Sequence, residues 1–418
     1  MPALAQTVTP CPAELKPLAT CYAGADQNGA TYWIAIPAKW NRMLVMHAHG
    51  GPRLAAIAPD NALEDLQRFA VTVKQGYAWA GSSYRRPGYG VRVAAEDTDN
   101  LRKLFIERFG KPALTILHGQ SWGGNVAAKG LELYGVNPDG SHNYDGVVFT
   151  NGMIAGGTLN YLHRADLRAV YQYYCKNHPR PDEAQYPLWQ GLPAGARMTG
   201  KELEARVNEC TGISLPAAQR SAAQAHNLAN ILAVVPVPER TLVSNLNWAT
   251  FMFRDLVQRV LGGRNPFSNQ NVAYRGSDDD AALNRGVARF SADPQALAQL
   301  AEDSNVSGRL PLPVISLHAI DDPTALVEYE THYRDLAAGA GSAGNLLQTF
   351  SNENEHSKLA DAEYAALFDA LTKWIRTGVK PAARDMPALC AQQPFGGGCH
   401  FVPNYVPAPL FSRIAPRN

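Results

Sequence analysis

No stretch of this chain stays apolar for the roughly 18 to 20 residues that a helix needs to cross a bilayer. Charge of one sign is missing too: 38 basic residues stand against 37 acidic ones, and no long basic run occurs. So even a balance leaves no field to draw in nucleic acid or an anionic membrane. There is no Cys-x-x-Cys pair of the zinc or redox kind, no internal repeat and no low-complexity tract. What these absences leave is 418 residues, enough to bury a large core and still carry an inserted segment.

The six cysteines fall into three sequence-local pairs: Cys11 with Cys21, Cys175 with Cys210, and Cys390 with Cys399. An even number so arranged points to disulfides in an oxidising compartment, with one pair near each terminus. Six cysteines allow many connectivities, of which nearest-neighbour pairing is the expected one. Pro2-Ala3-Leu4-Ala5-Gln6 has the small-x-small ending of a signal-peptide cleavage region, without the charged and apolar parts that should precede it. The expectation is a leader trimmed away, Met1 as a new start, and a periplasmic or secreted protein.

The most informative stretch is Gly119-Gln120-Ser121-Trp122-Gly123-Gly124. Gly-x-Ser-x-Gly between a strand and a helix lifts a serine out as a nucleophile. Leu114 to His118 is a short apolar, β-branched run suited to a buried central strand, and Asn125 to Leu133 reads as a helix. Small residues at Gly119, Gly123 and Gly124 let strand and helix approach. A serine hydroxyl is a weak nucleophile, so it needs an imidazole to take its proton and a carboxylate to orient that imidazole. Two downstream segments fit. Pro313 to His318 is strand-like and opens onto the acidic turn Asp321-Asp322; Leu346 to Phe350 is another, opening onto His356. After His356 the apolar positions Tyr364, Leu367, Phe368, Leu371, Trp374 and Ile375 recur at helical spacing.

On four segments, His49-Gly50-Gly51-Pro52, Gly119 to Gly123, Asp321-Asp322 and His356, the chain resembles the α/β-hydrolases. It is similar to secreted serine esterases and to the hydrolase domain of prolyl-oligopeptidase-type enzymes. The resemblance implies a mostly parallel sheet flanked by helices, with a mainly helical inserted cap. It implies Ser121 as nucleophile, His356 as base and Asp322 as acid, counted four residues from His318. Ala319 stands where the family usually has glycine, which leaves Asp321 as the other choice. It also implies two oxyanion donors, the backbone N–H groups of Trp122 and of Gly51. Pro52 has no N–H and cannot serve.

Other signals are weaker. His47-x-His49 has the spacing of metal ligands but lacks the following Asp-His, so no metal and no cofactor are expected. His118 and His318 end strands beside the site and read as buried structural histidines. Gly195 to Lys201 nearly spells a phosphate-binding loop, but Glu202 takes the Ser/Thr place and no apolar strand precedes it.

Three parts result: residues 1–155 as the first part of the hydrolase core, 156–304 as a helical cap, and 305–418 as the second part of the core. In the cap, helices are expected at Tyr161 to Tyr174, Ala217 to Ala233 and Asn247 to Leu261. Its aromatic residues include Tyr171, Tyr173, Tyr174, Phe251 and Phe253 as well as Trp189 and Trp248. With Tyr84, the two tryptophans are the candidate substrate contacts, suited to a bulky apolar or aromatic group. Arg85 or Arg86 would bind a carboxylate. The expected activity is cleavage of carboxylic esters, small or polymeric. The alternatives are a serine peptidase or amidase, and a binding protein on an inactive hydrolase scaffold.

Overall fold

The computed structural model describes residues 7–413; the Ala3-Leu4-Ala5 cleavage pattern lies outside them. The described residues divide into two compact units, one within Met1–Gly156 and Ser304–Pro407, the other within Gly157–Asp303 and Ala408–Asn418.

The first unit is built on nine strands: β1 (Thr7–Thr9), β2 (Ala19–Ala25), β3 (Thr31–Pro37), β4 (Met43–Ala48), β5 (Ala78–Ser82), β6 (Leu114–Gln120), β7 (Gly146–Thr150), β8 (Val314–Ala319) and β9 (Leu346–Ser351). They form one sheet in the order β1-β2-β3-β5-β4-β6-β7-β8-β9. The pairings from β5 through β9 are parallel, while β1, β2 and β3 join antiparallel at one edge. Strands β4, β5, β7 and β8 are buried along their whole length, as parallel strands covered on both faces must be.

Alternation along each strand then assigns the two faces. Val45, Trp79, Ile116, Val148 and Ile315 pack in one core with Leu66 and Phe69 and with Tyr364, Leu367, Phe368, Leu371 and Trp374 of the helix Asp361–Thr377. On the other face Leu117 and Gly119 meet the helix Trp122–Tyr134, where a Cβ on Gly119 would lie 2.7 Å from the Ala127 Cβ. Because β4, β6, β8 and β9 run parallel, their C-terminal ends open on the same edge of the sheet. The loops carrying Gly50, Ser121, Asp322 and His356 all leave from that edge, where open α/β sheets bind ligands.

Several boundaries differ from the sequence expectation. Strand β6 runs on to Gln120, which pairs with Thr150 of β7, so the helix begins at once with Trp122. In the second unit the run from Ala217 is split into a short turn, Ala217–Gln219, and the helix Ala222–Val234. Ser221 causes the break by capping: its Oγ accepts from the Gln224 N–H, and the Gln224 side chain accepts from the Ser221 N–H. Thr199 and Glu202 cap the helix Gly200–Thr211 in the same way, which accounts physically for the phosphate-loop-like run. The third expected helix starts earlier, at Leu242, and widens into π-helical winding at Trp248–Met252 and Asp255–Val260.

All six cysteines are paired, Cys11–Cys21, Cys175–Cys210 and Cys390–Cys399. No helix among the described residues is long and apolar enough to cross a membrane. Cys175–Cys210 joins the ends of the helices Leu162–Cys175 and Gly200–Thr211 across 35 residues. Closing a loop of that length is worth about 3 to 4 kcal/mol in the chain-entropy account. Replacing both cysteines by serine should therefore lower the guanidinium unfolding midpoint seen by circular dichroism; an unchanged midpoint would count against a stabilising role.

Candidate active site

Ser121 sits directly after β6 with φ 57° and ψ −127°, a backbone region sparsely populated by any residue other than glycine. The neighbouring glycines make room for it. A Cβ on Gly119 would fall 2.2 Å from the Gly123 carbonyl oxygen, and one on Gly123 would fall 2.0 Å from that of Ala48. One on Gly124 would fall 2.8 Å from the Gly152 Cα. Hydrogen bonds then hold the serine: its N–H donates to the Thr150 carbonyl at 3.1 Å, and its carbonyl accepts from Gly124 and Met153, each at 2.9 Å.

The side chains expected to act together are together. His356 Nε2 lies 2.7 Å from Ser121 Oγ. His356 Nδ1 lies 2.8 Å from Asp322 Oδ2 and 3.0 Å from Oδ1. Asp322 is buried and its Oδ1 accepts from the N–H groups of Thr324 and Ala325, at 2.7 and 2.8 Å, which fixes the carboxylate plane. Asp321 is exposed and turned elsewhere, so burial distinguishes two adjacent aspartates that the sequence left open.

Two supporting residues were not found by sequence reading. Gln120 Nε2 donates to the His356 carbonyl at 3.0 Å. Asn151 Nδ2 donates to the carbonyls of Glu355 and His356 at 3.0 and 2.8 Å, while its Oδ1 accepts from the Ala319 N–H at 2.8 Å. Asn151 therefore ties the loop of the acid to the loop of the histidine. Its φ of 46° is tolerated by asparagine better than by most residues, and an asparagine just past the end of a strand is the one local signal of it.

The oxyanion candidates are the backbone N–H groups of Trp122 and Gly51. Trp122 opens its helix, so its N–H has no partner within that helix. Gly51 has φ 68°, and the loop before it presses on the serine turn: a Cβ on Gly50 would lie 3.3 Å from the Ser121 Cβ. Tyr84, expected to meet substrate, is instead buried, and its hydroxyl donates to the His49 carbonyl at 3.1 Å. It braces the loop from behind. Arg85 is taken by Asp97 at 2.7 Å and by Glu96, which leaves it no carboxylate to seek. Trp189 and Trp248 belong to the second unit. Trp248 stacks on Tyr161 with ring centroids 5.0 Å apart, and the Arg164 guanidinium lies 4.8 Å from its ring. Tyr171 and Phe253 are buried.

Beneath the Gly50-Gly51 loop lies a buried polar group. Asp65 Oδ2 is hydrogen-bonded to His49 Nδ1 and lies 3.5 Å from His47 Nε2. His47 Nδ1 and His118 Nδ1 are 3.0 Å apart, and His118 Nε2 meets Thr150 Oγ1 at 3.0 Å. Arg53 Nε donates to the remaining nitrogen of His49 at 3.1 Å. Burial lowers the pKa of both His47 and His118, the latter strongly. Burial pushes the Asp65 carboxyl up, but His49 and His47 together outweigh it and hold it well below the usual carboxylate range. His47 and His49 thus both meet one buried carboxylate, that of Asp65.

A histidine whose folded pKa is depressed stabilises the fold fully above its unfolded value, near 6.5, and less as pH falls below it. The unfolded chain gains protons there that His47 and His118 do not. Because Asp97, raised to about 7, titrates in the opposite sense, the contrast is with a variant: between pH 7 and pH 5 the parent should lose stability to denaturant relative to His118→Gln, and an identical pH dependence of the two would contradict the buried neutral pair.

No family model and no curated protein matches the chain. Among solved structures it is similar to feruloyl esterase B from Aspergillus oryzae, at 13% identity over 91% of this chain and 88% of that one, with a TM-score of 0.46. It is similar to Candida antarctica lipase A in its closed state at 14% identity over 91% and 83%, TM-score 0.45. The ligand-bound rice cell wall degrading esterase LipA from Xanthomonas oryzae gives 14% over 84% and 92%, TM-score 0.42. Likeness of this degree carries no argument about what the chain does. Its own topology is sufficient for the fold: with a mostly parallel sheet covered on both faces and a serine raised on the turn between a central strand and its following helix, the chain has the α/β-hydrolase fold.

Proposed function

We propose that the chain is a serine hydrolase of carboxylic esters that works through an acyl-enzyme and is exported to an oxidising compartment. The observation that carries the reading is the relay from Ser121 Oγ to His356 Nε2 at 2.7 Å and from His356 Nδ1 to Asp322 at 2.8 Å. As Ser121 Oγ attacks the ester carbonyl, His356 takes its proton, and the Asp322 carboxylate stabilises the imidazolium. The oxyanion is held by the N–H groups of Trp122 and Gly51. Collapse expels the alkoxide, which receives the proton from His356, and leaves the acyl group on Ser121. Water deprotonated by His356 then releases the acid and restores the serine. These steps use no group beyond the chain and water.

Esters ask least of such a site, because an alkoxide leaves more readily than an amine. A bulky apolar or aromatic group on the ester is proposed from the aromatic content of the second unit, where Trp189 and Trp248 remain partly exposed. Export is proposed from the three disulfides, which persist in oxidising compartments.

A series of aryl and alkyl esters and matched amides tests the reading. Ser121→Ala and His356→Ala should abolish turnover with the fold intact. Asp322→Asn should lower kcat by about four orders of magnitude, and Asp321→Asn far less. Turnover of amides at rates matching esters would make the protein an amidase or peptidase, and the opposite ranking of the aspartates would move the acid to Asp321. Asn151→Ala, which loosens the histidine loop without touching substrate, should reduce kcat by about ten- to a hundredfold and leave KM nearly unchanged. A KM effect alone would show that it acts otherwise.

A further inference from the structure

A second cluster of chemically capable side chains lies apart from the serine relay. Glu353 stands in the loop that leads to His356, Glu363 in the first turn of the helix Asp361–Thr377, and His400 next to the Cys390–Cys399 disulfide. Each offers one ligand atom, and the three atoms lie within 4.8 Å of one another. His400 Nδ1 is 3.3 Å from Glu353 Oε1 and 4.0 Å from Glu363 Oε1.

The arrangement is held from outside. Glu363 Oε1 accepts from the His400 N–H at 2.8 Å and from Ser351 Oγ at 3.0 Å, and Glu353 Oε1 accepts from the Ala360 N–H at 3.0 Å. The tail is fastened alongside: the Asn352 N–H donates to the His400 carbonyl, and the Val402 N–H to that of Phe350, each at 2.8 Å. Glu353 and His400 line a cavity of about 720 Å³. Asp321, Asn352 and Asn354 line it as well, so the cavity gives an ion a polar way in.

Two carboxylates aimed at one partly buried point repel each other unless a proton or a cation lies between them. His400 offers a single positive charge, and only when protonated. That single charge leaves the repulsion between Glu353 and Glu363 only partly answered. A metal ion meets it with more charge, and it uses the imidazole as a ligand instead of a counter-ion.

We propose that Glu353, Glu363 and His400 bind a divalent transition cation of the zinc class, and that the ion ties the disulfide-linked tail to the loop carrying His356. One imidazole nitrogen with two carboxylates suits zinc, whereas calcium and magnesium prefer shells made of oxygen alone. The role is structural, since none of the three ligands touches Ser121, His356 or Asp322. The site therefore stands whether or not the ester reading does.

The full chain, freed of metal by chelation and dialysis, would be titrated with zinc and separately with calcium by calorimetry, and its thermal midpoint measured with each. Stoichiometric zinc uptake with a raised midpoint is expected. His400→Ala and Glu353→Gln should each weaken zinc binding by at least about tenfold. Both residues are partly exposed, so these variants should stay folded by circular dichroism. His356→Ala should bind zinc as the parent does, which separates this site from the serine relay. Absence of stoichiometric uptake, uptake that His400→Ala leaves unchanged, loss of uptake in His356→Ala, or a preference for calcium would each overturn the proposal.

Discussion

The left-handed backbone of Ser121 is the constraint on which the rest of the strand-end architecture depends. A non-glycine residue held there costs on the order of 1 to 3 kcal/mol, and it persists only where its surroundings leave no alternative. Here they leave none. Strand β6, its following helix and the end of β4 approach so closely that Gly123 has no room for a methyl group against the Ala48 carbonyl. The same closeness puts the Gly50-Gly51 loop against the serine turn. The Ser121 turn and the Gly50-Gly51 loop are consequently one packing problem with one solution.

Around that turn the other loops are fixed through their backbones. Asn151 and Gln120 hold the His356 carbonyl from the ends of β7 and β6, so the imidazole is placed by the sheet as well as by its own loop. Asp322 is held by two N–H groups of its own turn. The Gly50-Gly51 loop is braced by Tyr84 on its carbonyl side and by Asp65 and Arg53 through the His49 ring. Such bracing is how a site keeps its groups within the small tolerances that proton transfer demands. Three loops that are remote in sequence are thereby held as a unit.

The parts of this site that were legible in the sequence are those whose chemistry dictates residue type and position together. A serine between glycines after an apolar strand, an acidic turn after a second strand and a histidine after a third can be read without a structure. The choice between Asp321 and Asp322 could not be read, because adjacent residues in one turn differ only in which way they face. Gln120 and Asn151 were missed because they act on backbone carbonyls more than 200 residues away, and the one local sign, an asparagine just past the end of β7, does not name its partner. Strands β1 and β2 escaped notice for a different reason: toward the antiparallel edge of the sheet they are only partly buried, as in Ala19–Ala25, and carry weak apolar signals. Tyr84 and Arg85 were misread for want of their partners, His49 and Asp97, which only the fold supplies.

The central claim is that Ser121 is an activated nucleophile and that His356 activates it. Treating the purified protein with a fluorophosphonate and locating the adduct by peptide mass spectrometry, with the His356→Ala protein in parallel, addresses it directly. The account predicts a single adduct on Ser121 that forms rapidly in the parent and is lost in His356→Ala. No adduct in protein shown to be folded, or one that forms equally well without His356, would contradict it and leave the hydrogen-bonded relay without catalytic meaning.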